Sequence, residues 1–288
     1  MRLGYPCQNL TLSASTNHSL RLKSLSNQDR VHDAIRRNLE GLESILKWNT
    51  NQGWRLFRIG QHLVPFGSYP DFPFDWVDYY GPALERIGRQ AQYLRQRLSM
   101  HPGQFINPGS PDKDVRSRGL AELRYSATAL DLLGASDGVI VLHLGGAYDD
   151  RQAAKDRFTD CLASEPQILK YLALECDERT WPITDVVEVA NRLGIPAIVD
   201  TLHHRINPDQ LSLEDAFNLA FPTWGDRRPK IHLSSQDPDK MTGAHSARIE
   251  PDDFELMLRV LPRRDVDVMV EAKDKELALS FQKEAAVV

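Results

Sequence analysis

The chain is poor in cysteine. It has three, Cys7, Cys161 and Cys176, an odd number with no CxxC pair among them. That excludes a disulfide framework and argues against a thiolate zinc site, leaving these residues the role of small apolar filler. No apolar run approaches the roughly 20 residues that a membrane-crossing helix needs. The opening Met1-Arg2-Leu3-Gly4-Tyr5-Pro6 carries no apolar signal region, so a cytoplasmic protein is expected. A surplus of positive charge is missing too: 35 Lys and Arg stand against 40 Asp and Glu, a formal net charge of −5. Nucleic-acid-binding domains are usually basic. The balance therefore weighs mildly against such a partner, although bound cations would offset carboxylates and the sum hides where the basic residues lie. No low-complexity segment, composition shift or base-reading motif of the zinc-finger kind interrupts the chain.

What remains is ordinary globular material: 288 residues, 41 % apolar and 26 % charged, enough to bury a sizeable core. Its pattern alternates. Short apolar stretches at 2–5, 56–59, 97–101, 138–143, 171–175, 196–200, 230–232 and 266–271 read as eight strands. Between most of them lie helical stretches, at about 28–50, 79–95, 113–133, through 163, 183–193, 212–220 and 252–261. In the first, Val31, Ile35, Leu39, Leu42, Ile45 and Leu46 recur at spacings of three and four, and Gly53 ends it. Strands alternating with helices imply a parallel sheet, and eight such units imply a closed α/β barrel. The expectation is one (β/α)8 TIM-barrel catalytic domain over residues 1–288. A Pro- and aromatic-rich loop, Pro65 to Trp76, and a helical tail after Lys273 stand outside the regular repeat.

Six of the predicted strands stop on the same kind of residue: His101, His143, Glu175, Asp200, His232 and Glu271. Imidazole and carboxylate are the side chains that hold zinc, manganese and related ions. All strand ends of a barrel face one mouth, where several uncompensated carboxylates would repel one another unless cations relieve them. Asp200-x-x-His203 adds a donor from the same loop, and His245 lies in the loop after the seventh strand. Eight donors exceed one ion's needs, so two or three ions are expected. Glu175 and Glu271 are the expected bridges, because a carboxylate offers two oxygens. Such a cluster suits metal-assisted hydrolysis of a phosphodiester. A sugar isomerase on a similar barrel is the alternative, although it typically uses more carboxylates and fewer imidazoles. Lys230, two residues before His232, shares its face. It serves either in a salt bridge to a buried carboxylate or in the chemistry.

These motifs resemble the UV damage endonuclease family, a relative of endonuclease IV. The matching stretches run from Leu3-Gly4-Tyr5 with Asn9-Leu10 to Met269-Val270-Glu271-Ala272-Lys273, nearly the whole chain. Between them stand Phe57-Arg58-Ile59-Gly60, Ser99-Met100-His101-Pro102-Gly103-Gln104, Val141-Leu142-His143-Leu144-Gly145-Gly146 and Leu174-Glu175. Asp200-Thr201-Leu202-His203-His204, Lys230-Ile231-His232-Leu233-Ser234-Ser235-Gln236 and Gly243-Ala244-His245 complete the set. The resemblance implies a DNA repair endonuclease that cuts double-stranded DNA immediately 5′ to a UV photoproduct, leaving a 3′-hydroxyl and a 5′-phosphate, with abasic sites as a further substrate. It implies divalent ions as cofactors, manganese first, with zinc, cobalt or magnesium as alternatives. The eight donors become ligands, Glu175, Glu271 and Lys230 become catalytic, and the lysine is one that the family carries in carboxylated form. Gln104 and Phe105 correspond to a pair that probes the duplex opposite the lesion, and Tyr5 and Asn9 to lesion-binding positions. A monomer associated with the nucleoid through its DNA is expected.

Two positions depart from the family pattern. Phe105 stands where the family usually has tyrosine, keeping the ring and losing a hydroxyl. In Gly67-Ser68-Tyr69, Tyr69 stands where the family usually has a histidine, so a ninth donor is not expected there. Physical reasoning supports damage reading by deformability: a photodimer stacks and pairs poorly, so extruding it costs less than extruding an intact step. Arg205, Arg227, Arg228, Lys240 and Arg248 are expected near the mouth, where they would hold phosphates. A module that binds lesions without cutting them is the remaining alternative.

Overall fold

The computed structural model describes residues 1–103 and 105–279. Eight parallel strands carry the site: β1 Arg2–Pro6, β2 Leu56–Ile59, β3 Arg97–Met100, β4 Val139–His143, β5 Leu172–Glu175, β6 Ala197–Ile198, β7 Lys230–Leu233 and β8 Asp267–Val270. They lie side by side in the order β6-β5-β4-β3-β2-β1-β8-β7. The ring closes between β6 and β7 through one parallel bridge, Asp200 to His232, in which the His232 N–H donates to the Val199 carbonyl at 3.0 Å. This is the expected TIM barrel.

The helices match the predicted periods: α1 Gln28–Gln52, α2 Trp76–Tyr93, α3 Lys113–Leu132, α4 Arg151–Ala163, α6 Ile183–Leu193, α8 Leu213–Ala220 and α9 Pro251–Val260. Two short ones, α5 Pro166–Leu169 and α7 Thr201–Ile206, are additions, as is a hairpin of Gln8–Asn9 with Ala14–Ser15 inside what reads as a polar loop. The tail is a single 3-10 turn over Lys275–Leu279; the predicted continuation from 280 lies outside the described residues. Most helix starts are capped by a side chain: Asn27, Asp75, Asp112, Asp150, Asp200 and Ser212 each accept from backbone N–H groups of the first turn. Each such cap contributes about 1 kcal/mol. At its other end α1 stops on Gly53, whose φ of +84° favours glycine.

Alternation along the strands sorts side chains between two environments. Leu98 and Met100, Ile140 and Leu142, Leu172 and Leu174, Ile231 and Leu233, and Val268 and Val270 face the helices, where with α1 they form the main core. Truncating one such leucine to alanine costs about 2–5 kcal/mol. The residues between them point into the barrel. On β4 to β6 these are the small apolar residues Val139, Val141, Ala173 and Ile198, plugged by Trp224. On the other strands they are mostly charged or polar, Arg97, Ser99, Lys230, Asp267 and Arg58, with Leu56 and Met269 the apolar members. His101, His143, Glu175, Asp200, His232 and Glu271 continue this inward series at its C-terminal end, and parity alone brings them together.

Candidate metal centre

The eight predicted donors converge. His101, His143 and Glu175 form one group, Glu175, Asp200 and His232 a second, and Asp200, His203 and His245 a third. Within each group the ligating atoms lie within 4.8 Å of one another. The three groups run together through Glu175 and Asp200. Glu271, the other carboxylate expected to bridge, stands beside these groups, engaged from one side by an ion pair with Arg58 and from the other by His232 Nδ1 at 2.9 Å.

Glu175 sits at the centre, almost without exposed surface. His232 Nδ1 lies 2.6 Å from its Oε1, and His101 Nε2 and His143 Nε2 lie 3.2 and 3.4 Å from its Oε2. Asp200 caps α7 with Oδ1, and the Ser234 hydroxyl donates to both its oxygens, at 3.1 and 3.0 Å. One turn into α7, His203 is held by the Cys176 carbonyl at 3.1 Å. His245 arrives from the loop after β7. There Gly243, with φ of +89°, makes the turn and its N–H donates to Gln236 Oε1 at 2.8 Å. His245 Nδ1 lies 3.7 Å from Glu271.

Burial and charge set the protonation states. Burial works against the ionised forms of Glu175 and Glu271, but the histidines around Glu175, and Arg58 with His232 around Glu271, hold both carboxyls well below the usual range. Burial pushes His101 down to about 4, so its lone pair is free at neutral pH. Burial also opposes protonation of His203 and His232. At His203 the charges of Asp200, Glu175, Glu271 and Glu178 outweigh it, lifting the group to about 9, and Glu175 with Glu271 raises His232 likewise. Lys230 has no exposed surface and donates to Ser99 Oγ at 2.9 Å. Among the described residues no carboxylate lies within ion-pair distance of it, so the expected salt bridge is absent: Ser99, its inward neighbour across the barrel, takes that place. Burial, with Arg58 and Arg97 nearby, lowers Lys230 to about 7.

The residues fit divalent ions. Anionic oxygens and imidazoles crowd together, and two buried ring nitrogens, His143 Nδ1 and His232 Nε2, have no hydrogen-bond partner among the described residues. Buried polar atoms are seldom left so. Above the cluster opens a cavity of about 830 Å³, lined by His101, His143, Glu175, His203, His245 and Glu271, with Phe105 at its edge. Gly145, with φ of +81°, shapes its wall; a side chain there would collide with Asn107.

The other predicted positions fare unequally. Phe105 is 85 % exposed. Gln104 lies outside the described residues. Tyr5 and Asn9, for which the resemblance implies a lesion contact, are both buried. Strand parity turns Tyr5 toward α1, where its hydroxyl donates to Asn49 at 2.6 Å and accepts from Asn9 at 2.7 Å, and both side chains are buried. They brace the first loop. Tyr69 packs against Phe66, ring centroids 6.3 Å apart. Three of the five cations expected at the mouth are held in surface pairs: Arg205 with Asp253, Lys240 with Asp237 and Arg248 with Asp274. Arg227 and Arg228 are at the wrong end altogether, because they precede β7 rather than follow it. Arg58, Glu178 and Ser234 were missed as site residues. Arg58 and Ser234 have the inward parity of the donors, a signal the sequence did offer; Glu178 sits in a loop, 3.9 Å from His203, with no such signal.

Comparison with known proteins agrees. Over 284 residues the chain is 34 % identical to the UV DNA damage endonuclease of Clostridium perfringens (strain 13 / Type A), covering 96 % of this chain and 69 % of that protein. It is 30 % identical to the UV DNA damage endonuclease of Bacillus cereus (strain G9842), covering 97 % and 92 %. The crystal structure of SacUVDE superposes with a TM-score of 0.93 at 33 % identity, covering 100 % of both chains. The model of the family described as UV-endonuclease UvdE matches residues 1–285, and with the barrel and its donor cluster in place the chain belongs to that family.

Proposed function

We propose that this DNA repair nuclease hydrolyses the phosphodiester immediately 5′ to a UV photoproduct, leaving a 3′-hydroxyl and a 5′-phosphate, with abasic sites as a second substrate. The observation that carries the reading is the chain of three donor groups shared through Glu175 and Asp200 at the floor of an open cavity. Two or three divalent ions, manganese first, would be held by His101, His143, Glu175, Asp200, His203, His232, His245 and Glu271. Bound there, such ions supply Lewis-acid activation of water and stabilisation of charge on the phosphodiester oxygens.

The chain's own residues do the rest. Glu175 and Glu271 carry the negative charge of the floor, and Arg58 and Ser234 fix the carboxylates of Glu271 and Asp200 in direction. His101 stays neutral and offers its lone pair. Lys230, at about 7, is an unprotonated amine in about half of molecules at neutral pH. Its nitrogen then adds to carbon dioxide and releases one proton, giving an anionic carbamate beneath the cluster. At the rim the exposed Phe105 ring, with Gln104, fills the gap that an extruded dimer leaves, so damage is read by how readily the step opens. The whole chain acts as one catalytic domain, a cytoplasmic monomer that meets chromosomal DNA directly.

The test is an end-labelled duplex with one thymine dimer, incubated with Mn²⁺ and then with EDTA, beside undamaged and abasic duplexes. Cutting just 5′ to the dimer, with Mn²⁺ only, is expected. If neither damaged duplex is cut while elemental analysis finds the metal in place, the nuclease reading fails. Lesion binding without incision would then make the protein a binding module.

A further inference from the structure

The loop after β5 brings one more carboxylate to the barrel mouth. Asp177 folds that loop. Its Oδ1 accepts from the backbone N–H groups of Arg179 at 2.8 Å and Trp181 at 3.1 Å, and its own N–H donates to the Trp181 carbonyl at 2.9 Å. Asn207, at the end of α7, donates through Nδ2 to the Asp177 carbonyl at 3.1 Å. Glu178 lies inside this fixed turn and lines the cavity together with His203, Gly243 and His245. Two contacts place its side chain. Oε2 lies 3.9 Å from His203 Nε2. The side chain also rests against the loop that delivers His245: a Cβ on Gly243 would stand 3.0 Å from Glu178 Cγ and 3.5 Å from its Oε1. Glu178 thus borders both the His203 ring and the loop of His245, two rings whose centroids are 5.8 Å apart.

The nitrogen that Glu178 approaches is the one left to a metal, because His203 Nδ1 faces the Cys176 carbonyl at 3.1 Å. At 3.9 Å Oε2 and Nε2 are too far apart for a hydrogen bond. They stand at the separation of two donors on one ion: with each about 2.1 Å from the metal, neighbouring ligands lie about 3–3.5 Å apart and opposite ones about 4.2 Å. Donor pairs elsewhere in the cluster have similar separations, 3.2 Å for His101 with Glu175, 3.4 Å for His143 with Glu175 and 3.7 Å for His245 with Glu271. Charge argues the same way. The third donor group has one carboxylate, Asp200, and the second group already shares it. Its three donors fall short of the four that zinc takes or the six of octahedral manganese. The other partner of the Glu178 carboxylate is Arg179, at 3.3 Å and largely exposed. Such a surface pair contributes little and yields to a divalent ion.

On the reading of the cluster as a divalent metal centre, we propose that Glu178 is a ninth ligand, which completes with Asp200, His203 and His245 the site of one ion and gives up Arg179 as that ion enters. Its carboxylate supplies the negative charge that the shared Asp200 does not, and the fixed turn at Asp177 holds it in place beforehand.

The test is equilibrium dialysis of Mn²⁺ into EDTA-treated protein, read by elemental analysis, with wild type, Glu178→Gln and Arg179→Gln compared. No DNA is present, so the readout is independent of incision. Glu178→Gln should weaken one ion per molecule about tenfold or more and leave the others as in wild type. Arg179→Gln removes the competitor and should bind that ion at least as tightly as wild type. Equal weakening by the two variants would mean that Glu178 acts only by bracing its loop through Arg179, and the proposal would fail. Wild-type binding of every ion by Glu178→Gln would overturn it too. A second measurement decides the matter if Glu178→Gln melts early. Anomalous scattering from manganese-loaded wild-type crystals should place an ion about 2.0–2.2 Å from both a Glu178 oxygen and His203 Nε2. An ion on His203 and His245 with Glu178 still against Arg179 would refute the ligand role. If wild type holds no ion on Asp200, His203 and His245 at all, the metal-centre reading falls, an outcome distinct from the loss of Glu178 alone.

Discussion

Loading the metal centre should expel protons, and the number can be worked from the site. At pH 7.5 a group titrating at about 9 is about 97 % protonated, so the metal-free protein holds an imidazolium at His203. His232, raised by Glu175 and Glu271, adds a second, partial one. His101, at about 4, adds none. Imidazole binds a metal only through a free lone pair, so loading should release between about one and two protons per molecule. Titrating Mn²⁺ into EDTA-treated protein in PIPES, HEPES and Tris at pH 7.5 measures this: the slope of observed enthalpy against buffer ionisation enthalpy is the proton count. His203→Gln should lower the slope by about one. A slope near zero while metal binds would show both imidazoles already neutral, and the account of their charged neighbours would be wrong. The same proton governs stability without metal. A group raised from about 6.5 to about 9 contributes about 3 kcal/mol, fully present below about pH 6.5 and lost as pH rises through about 9. The metal-free melting temperature should therefore fall across that window.

Other perturbations probe the remaining roles. Glu175→Gln should abolish incision and lower bound metal by elemental analysis; a variant that cuts normally would remove Glu175 from the centre. Arg58→Met strands the buried Glu271 carboxylate, so about 3 kcal/mol should be lost in urea melts of metal-free protein, with part recovered when Mn²⁺ is added. Phe105→Ala, on a ring 85 % exposed, should leave stability within about 0.5 kcal/mol while reducing the preference for a dimer-containing duplex over an intact one in competition binding. Lys230→Met should erase a carbamate carbon resonance seen with ¹³C-bicarbonate; absence of that resonance in wild type above pH 7 would leave Lys230 an amine.

Much of this was legible because strand parity is a local rule. His101, His143, Glu175, Asp200, His232 and Glu271 end short apolar runs, and a barrel has one inside and one top. Once the repeat is recognised, those six must meet. What stayed hidden depends on contacts across the fold. Nothing near Asp200 announces that it caps a helix while Ser234 holds its carboxylate, nor near Glu271 that Arg58 restrains it. For Tyr5 the motif gives identity without facing, and facing turns the side chain toward α1. Arg227 and Arg228 were misplaced by loop membership: the turn before a strand and the turn after it look alike in composition, yet lie at opposite ends of the barrel.

The barrel is fastened where it is thinnest. Its last seam, between β6 and β7, has one bridge, Asp200 to His232, and both residues belong to the donor cluster. A ring of strands thus has its clasp inside its own ligand site. Whatever occupies that site ties the two free edges together, and emptying it leaves that bridge and the Ser234–Asp200 hydrogen bonds to resist their parting. Cofactor retention and barrel integrity are then one equilibrium, and the seam amide of His232, which bonds the Val199 carbonyl, would exchange with solvent at a rate set by how full the site is.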